Sequence, residues 1–142
     1  MSPAADNTLE PRLDGVVLGV RDLGAVREFY TRLGWRHRPR EGMFARYELG
    51  ATSMVLFPLD TLAGVVGLPA AGTDPVFKGS ATAIQAASPA AIDEALELVT
   101  AAGGTVLVAA ADRPWGVRTA YFADPENNVW ELFCLPDAGG ST

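Results

Sequence analysis

The stretch Trp115-Gly116-Val117-Arg118-Thr119-Ala120-Tyr121-Phe122-Ala123-Asp124-Pro125-Glu126-Asn127-Asn128-Val129-Trp130-Glu131-Leu132-Phe133 decides the fold. Its ends are rich in aromatic and β-branched residues, and its middle, Asp124 to Asn128, is turn chemistry, because Pro fixes φ and Asn tolerates the left-handed region. The stretch reads as two strands joined in a hairpin. Alternation along the second strand sends Val129, Glu131 and Phe133 to one face and Trp130, Leu132 and Cys134 to the other. Glu131 is thus a carboxylate set among apolar neighbours. Burying it unpaired costs several kcal/mol, so it faces a cleft, a cation, a donor or a metal; otherwise it lies on a solvated face or is satisfied by Arg118 across the hairpin.

Outward from the hairpin, the rest of the chain repeats one pattern. Asp14 to Val20 is a strand whose second face, Gly15, Val17 and Gly19, is nearly bare. Asp22 caps a helix with Val26, Phe29, Tyr30 and Leu33 on one side, and Gly34 stops it. A short strand from Trp35 is broken by Pro39; Met43 to Leu49 and Thr52 to Phe57 follow, turning at Gly50-Ala51. Asp60 to Leu68 reads as a short helix, and Pro69 to Pro75 as a linker. Gly79 to Ala87 is then a strand, Ser88 caps a helix with Pro89 at its first position, Gly103-Gly104 ends it, and Thr105 to Ala109 leads to the hairpin. Counted from the caps, which stand 66 residues apart, the apolar positions of both helices fall at +4, +7, +8 and +11. The chain is therefore an internal duplication of β-α-β-β-β.

The expected boundaries are a tail at 1–12, a first module at 13–58, a linker at 59–78, a second module at 79–136 and a tail at 137–142. With 142 residues, 49% hydrophobic and 20% charged, the chain reads as one globular domain, and its two β-α-β-β-β modules make the class α+β. A net charge of −6 without a basic run excludes a nucleic-acid partner and suits a cationic ligand or simple solubility. The lone Cys134 excludes an internal disulfide and a cysteine zinc cage. No apolar run is long enough for a membrane span and the first residues lack a signal peptide, so the expected location is the cytoplasm.

The Asp124-Pro125-Glu126-Asn127-Asn128 turn, the following Trp130-Glu131 pair and the upstream Trp115-Gly116 resemble the last hairpin of the vicinal oxygen chelate superfamily. That superfamily includes glyoxalase I, bleomycin-resistance proteins and extradiol dioxygenases, and the resemblance extends from about Leu13 to Pro136. It implies two β-α-β-β-β modules forming a cup-shaped incomplete barrel with helices outside, in many members completed across a dimer. Metal-dependent members carry His or Gln on the first strand, Glu on the fourth, His on the fifth and Glu on the eighth. Here the first place falls on Gly15, the fourth strand Thr52 to Phe57 holds no such donor, and the fifth place falls near Ala81; only Glu131 matches. One carboxylate cannot hold a divalent ion against water, and His37 stands between Arg36 and Arg38, so no metal and no cofactor are expected.

What remains is an apolar hollow. Gly15, Gly19, Ala81 and Ala83 leave room for a ligand or for packing. Tyr47, Phe57, Trp115, Tyr121 and Phe133 are expected as walls, each also a candidate for the core, and Glu131, Gln85 and Arg118 as orienting polar groups, with Arg118 of opposite parity to Tyr121. Trp35 and Trp130 read as core. The functional expectation is a homodimer that binds a small organic molecule, aromatic or cationic, without a metal. Its alternative is a metal-independent isomerase, cyclase or hydrolase with Glu131 as acid or base, and a remote third is a metal-dependent lyase or dioxygenase.

Overall fold

Two capped helices set the frame. Asp22 Oδ1 accepts from the Ala25 amide at the start of α1 (Leu23–Arg32), and Ser88 Oγ accepts from the Ala91 amide at the start of α3 (Pro89–Ala102). The structure, a computed structural model, describes residues 8–38 and 44–136; the expected tail at 137–142, most of that at 1–12, and Met43 lie outside the described residues. Around α1 stand β1 (Gly15–Val20), β2 (His37–Arg38), β3 (Ala45–Leu49) and β4 (Thr52–Pro58). Around α3 stand β5 (Ala81–Gln85), β6 (Thr105–Asp112), β7 (Arg118–Ala123) and β8 (Val129–Cys134), and α2 (Leu59–Val66), between the two sets in the chain, packs on β1 and β4.

The two sheets have the same order, β1-β4-β3-β2 and β5-β8-β7-β6. In each, the first pair is parallel and the others antiparallel. This is the duplicated α+β architecture the sequence predicts, and β1 and β5 open 66 positions apart like the helix caps. Two strands depart from expectation. β6 runs on to Asp112 because bulges near Val108 shift its register against β7, and β2 is only two residues long.

A single buried cluster joins both modules. It contains Val26, Phe29 and Tyr30 of α1, Tyr47, Met54 and Leu56 of the first sheet, Ile92 and Val99 of α3, and Phe122, Trp130 and Leu132 of the second sheet. Tyr30 stacks on Trp35 at 5.2 Å and meets Trp130 edge-on at 6.0 Å, so both tryptophans are core, as expected. Gly104 exists for this packing, since a Cβ there would stand 2.7 Å from Phe29 and 2.9 Å from the Ala123 carbonyl. By alternation, the opposite face of each sheet looks away from the shared core.

The core tyrosines couple the fold to alkaline pH. Burial, then the Asp124 charge, pushes the Tyr30 phenol well above its ordinary range, and burial raises Tyr47. Below about pH 10 both states keep the proton and the contribution is whole; above it the unfolded chain gives up protons that the folded phenols retain. Unfolding then releases protons, so stability is lost as pH rises through the raised values. Urea titrations between pH 8 and 11 are expected to show the decline, shallower in Tyr30→Phe by up to about 1.4 kcal/mol per pH unit; an equal slope would refute the coupling.

Candidate functional site

The bare face of the second sheet carries small residues on β5, mixed residues on β8 and a hydroxyl-bearing row on β7. Register sets Glu131 between Ala83 and Tyr121, Val129 between Ala81 and Ala123, and Phe133 between Gln85 and Thr119. Because Ala81 and Ala123 project almost nothing, a cavity of about 420 Å³ opens over this face. Its walls are Ala81, Val129 and Tyr121, with Leu107 and Val108 from β6 and Val76 and Phe77 from the linker. Lys78 fastens that linker by donating to the Glu126 carbonyl at 3.1 Å.

Polar chemistry on this face is sparse and paired. The Tyr121 hydroxyl donates to Glu131 Oε2 at 3.2 Å, so the carboxylate is neither bare nor bound to Arg118. Partial burial and then the Glu131 charge raise the Tyr121 phenol, with Arg113 pulling slightly the other way. Arg113 Nε donates to the Thr119 hydroxyl at 2.6 Å, and Thr119 is only 3% exposed.

The expected site residues separate. Glu131, Tyr121, Phe133 and Gln85 share this face. Phe57 sits on the bare face of the first sheet, 6.0 Å from the Phe44 ring. Tyr47 is corrected from wall to core: it is fully buried on the other side of β3, its hydroxyl donating to the Arg27 carbonyl at 2.8 Å. Arg118 turns away from Tyr121, because it has the parity of buried Ala120 and Phe122, and it lines with Gln85 a second cavity of about 590 Å³. Its guanidinium lies 3.2 Å from Asp112 and 3.8 Å from Asp93, with Nε buried and unpartnered. Trp115 stands 72% exposed in the turn before β7. The glycines of β1 serve packing: a Cβ on Gly19 would strike Leu59 of α2 at 2.8 Å, and one on Gly15 the Ser53 carbonyl at 3.0 Å.

Sequence reading missed Arg113, Val76 and Phe77. Arg113 follows the bulged end of β6, where alternation stops predicting direction, and the linker pair touches β-strands remote in sequence.

The metal set that the resemblance implies does not fit these residues. The bare face of β1 offers Gly15, Val17 and Gly19, that of β4 Ser53, Val55 and Phe57, and that of β5 Ala81, Ala83 and Gln85. Glu131 is left as the one carboxylate of the expected four donors, and among the described residues no group of three His, Cys, Asp or Glu could share an ion. His37 instead packs 5.5 Å from the Tyr47 ring. Among the described residues no helix is long and apolar enough to cross a membrane.

Known proteins place this geometry. A glyoxalase/bleomycin resistance protein/dioxygenase from Nocardioides is 30% identical, with TM-score 0.78 over 98% of this chain and 94% of its own. A glyoxalase-related enzyme from Fulvimarina pelagi is 26% identical, with TM-score 0.77 over 87% of this chain and 88% of its own. Lactoylglutathione lyase from Agrobacterium tumefaciens, 20% identical with TM-score 0.65 over 89% and 96% of the two chains, shares the fold. A search of curated proteins finds no match. The family model matches residues 12–132, nearly the whole duplicated unit, and the chain accordingly belongs to the Glyoxalase/Bleomycin resistance protein/Dioxygenase superfamily.

Proposed function

We propose that the protein binds a small organic molecule against the bare face of its second module, without a metal, and that a second copy of the chain closes the hollow. The observation that carries this reading is the apolar cavity of about 420 Å³ whose wall includes Tyr121, the hydrogen-bond partner of Glu131. Such a surface binds by burial and orients by one or two polar contacts. The units are residues 13–58 and 79–136, joined by 59–78, and the protein works in the cytoplasm, where its single thiol stays reduced. A homodimer follows from exposed apolar groups on the outward faces: Val17 is 52% exposed, Leu107 48% and Phe77 67%.

The Tyr121–Glu131 pair supports a second reading, an isomerase, cyclase or hydrolase in which Glu131 accepts a substrate proton and the phenol stabilises the resulting charge. Product formed by wild type and lost in Glu131→Gln would establish it; binding without product in both would leave a sequestering protein.

The cavity is tested by titrating phenylhexanol into wild type and Ala81→Trp. The exposed indole would fill the hollow without touching the core, so affinity should fall roughly tenfold or more with melting temperature retained. Unchanged affinity would place the occupant elsewhere.

A further inference from the structure

The groups on the second module's bare face are ordered along the strands. Ala123, Val129 and Ala81 mark the apolar end, Tyr121 and Glu131 the middle, and Thr119 with Phe133 the far end, where Arg113 is fastened. Four residues of strand separate Ala123 from Thr119, roughly 13 Å at the usual rise.

Arg113 is held in a particular way. Its Nε is tied to the buried Thr119 hydroxyl, so the two terminal nitrogens remain as a fork. Among the described residues no carboxylate pairs with it, whereas Arg32, Arg46 and Arg118 each have one within 4 Å. The neighbouring Asp112 is drawn off to Arg118, whose parity takes it to the opposite face of β7. A fixed guanidinium with no carboxylate within 4 Å among the described residues therefore stands near the Tyr121 wall of the apolar hollow, toward the Thr119 end of the same face.

We propose that the occupant is an amphipathic carboxylate: an apolar or aromatic body in the cavity, its middle passing Tyr121 and Glu131, and its anionic head in the fork of Arg113. This rests on the binding function proposed above and reverses the cationic preference that the net charge of −6 suggests. Surface charges beyond about 8–10 Å are screened at physiological salt, so the nearest fixed cation decides the sign of the head. Glu131 stands opposite Tyr121, two residues along the strand from Thr119, and one of its oxygens accepts from the Tyr121 hydroxyl. Its second oxygen is left to accept from a hydroxyl or N–H in the middle of the ligand.

The test uses three probes of one shape: phenylhexanoate, phenylhexanol and phenylhexylamine, titrated calorimetrically into wild type, Arg113→Gln and Ala81→Trp. Wild type should bind the acid roughly tenfold more tightly than the alcohol or amine, the gain typical of a charged hydrogen bond. Arg113→Gln should remove that preference and leave the alcohol unchanged. A preference for the amine, or an acid preference that survives Arg113→Gln, overturns the proposal. Should Ala81→Trp weaken the alcohol while Arg113→Gln leaves the acid untouched, the cavity stands and only the charge selection falls. If none of the three binds, both readings fall.

Discussion

Asp124→Ala is expected to cost the fold about 3 kcal/mol or more, the largest loss from any single residue of the hairpin turn. Asp124 is 2% exposed and collects four donors. Tyr30 Oη donates at 2.7 Å, the Glu126 amide at 2.8 Å, the Asn128 amide at 2.9 Å and Asn128 Nδ2 at 2.8 Å. Tyr30 Oη in turn accepts from Trp130 Nε1 at 2.9 Å, so removing the carboxylate strands a chain of polar groups reaching into the core. No cation neutralises it among the described residues; hydrogen bonds alone hold the charge. Asp124→Asn should also destabilise, since its amide nitrogen would meet a donor. Tyr30→Phe should cost less, because it leaves only Trp130 Nε1 and one lone pair unmet. Urea midpoints at constant m-value measure all three. A loss below about 1 kcal/mol for Asp124→Ala would show that the turn holds without its hub.

The same turn shows what alternation and spacing can and cannot reveal. Asn127 takes φ 66°, the left-handed conformation read from its residue type, and Trp130 and Glu131 face opposite ways as period two requires. What Asp124 and Glu126 do there was not legible. The Glu126 carboxylate accepts from the backbone amides of Arg21 and Asp22, fixing the entry to α1 from the other module, and Tyr30 reaches Asp124 across 94 residues of sequence. Such contacts depend on how the modules dock, and no local pattern encodes docking. Tyr47 lies in the core and not in a wall for a related reason. Its strand was readable, but which of its faces meets the helices depends on register with β4, where Tyr47 pairs with buried Met54. That Glu131, Tyr121, Phe133 and Gln85 share one face was legible because the hairpin and β5 fix their parity. Arg113 was not, because bulges interrupt its strand.

Val17→Asp is expected to turn the proposed homodimer into monomers and, in the same concentration range, to abolish the proposed binding of phenylhexanol. Val17 lies on the bare face of β1 with Gly15, opposite Val55 of β4, and is 52% exposed in the single chain. In a monomer a carboxylate there meets water, so unfolding free energy should move by no more than about 0.5 kcal/mol. In a dimer whose second chain covers this face, the carboxylate loses its hydration without gaining a partner, which costs several kcal/mol, enough to dissociate an interface of micromolar strength. On the proposed arrangement, in which a second copy closes the hollow, the effect reaches the ligand too. Leu98→Asp is the control: Leu98 is 44% exposed on α3, which packs against the opposite face of the second sheet, so it should change neither mass nor affinity. Sedimentation equilibrium and titration on the same samples give both numbers. A Val17→Asp protein that stays dimeric and binds as before would mean that one chain alone forms the hollow.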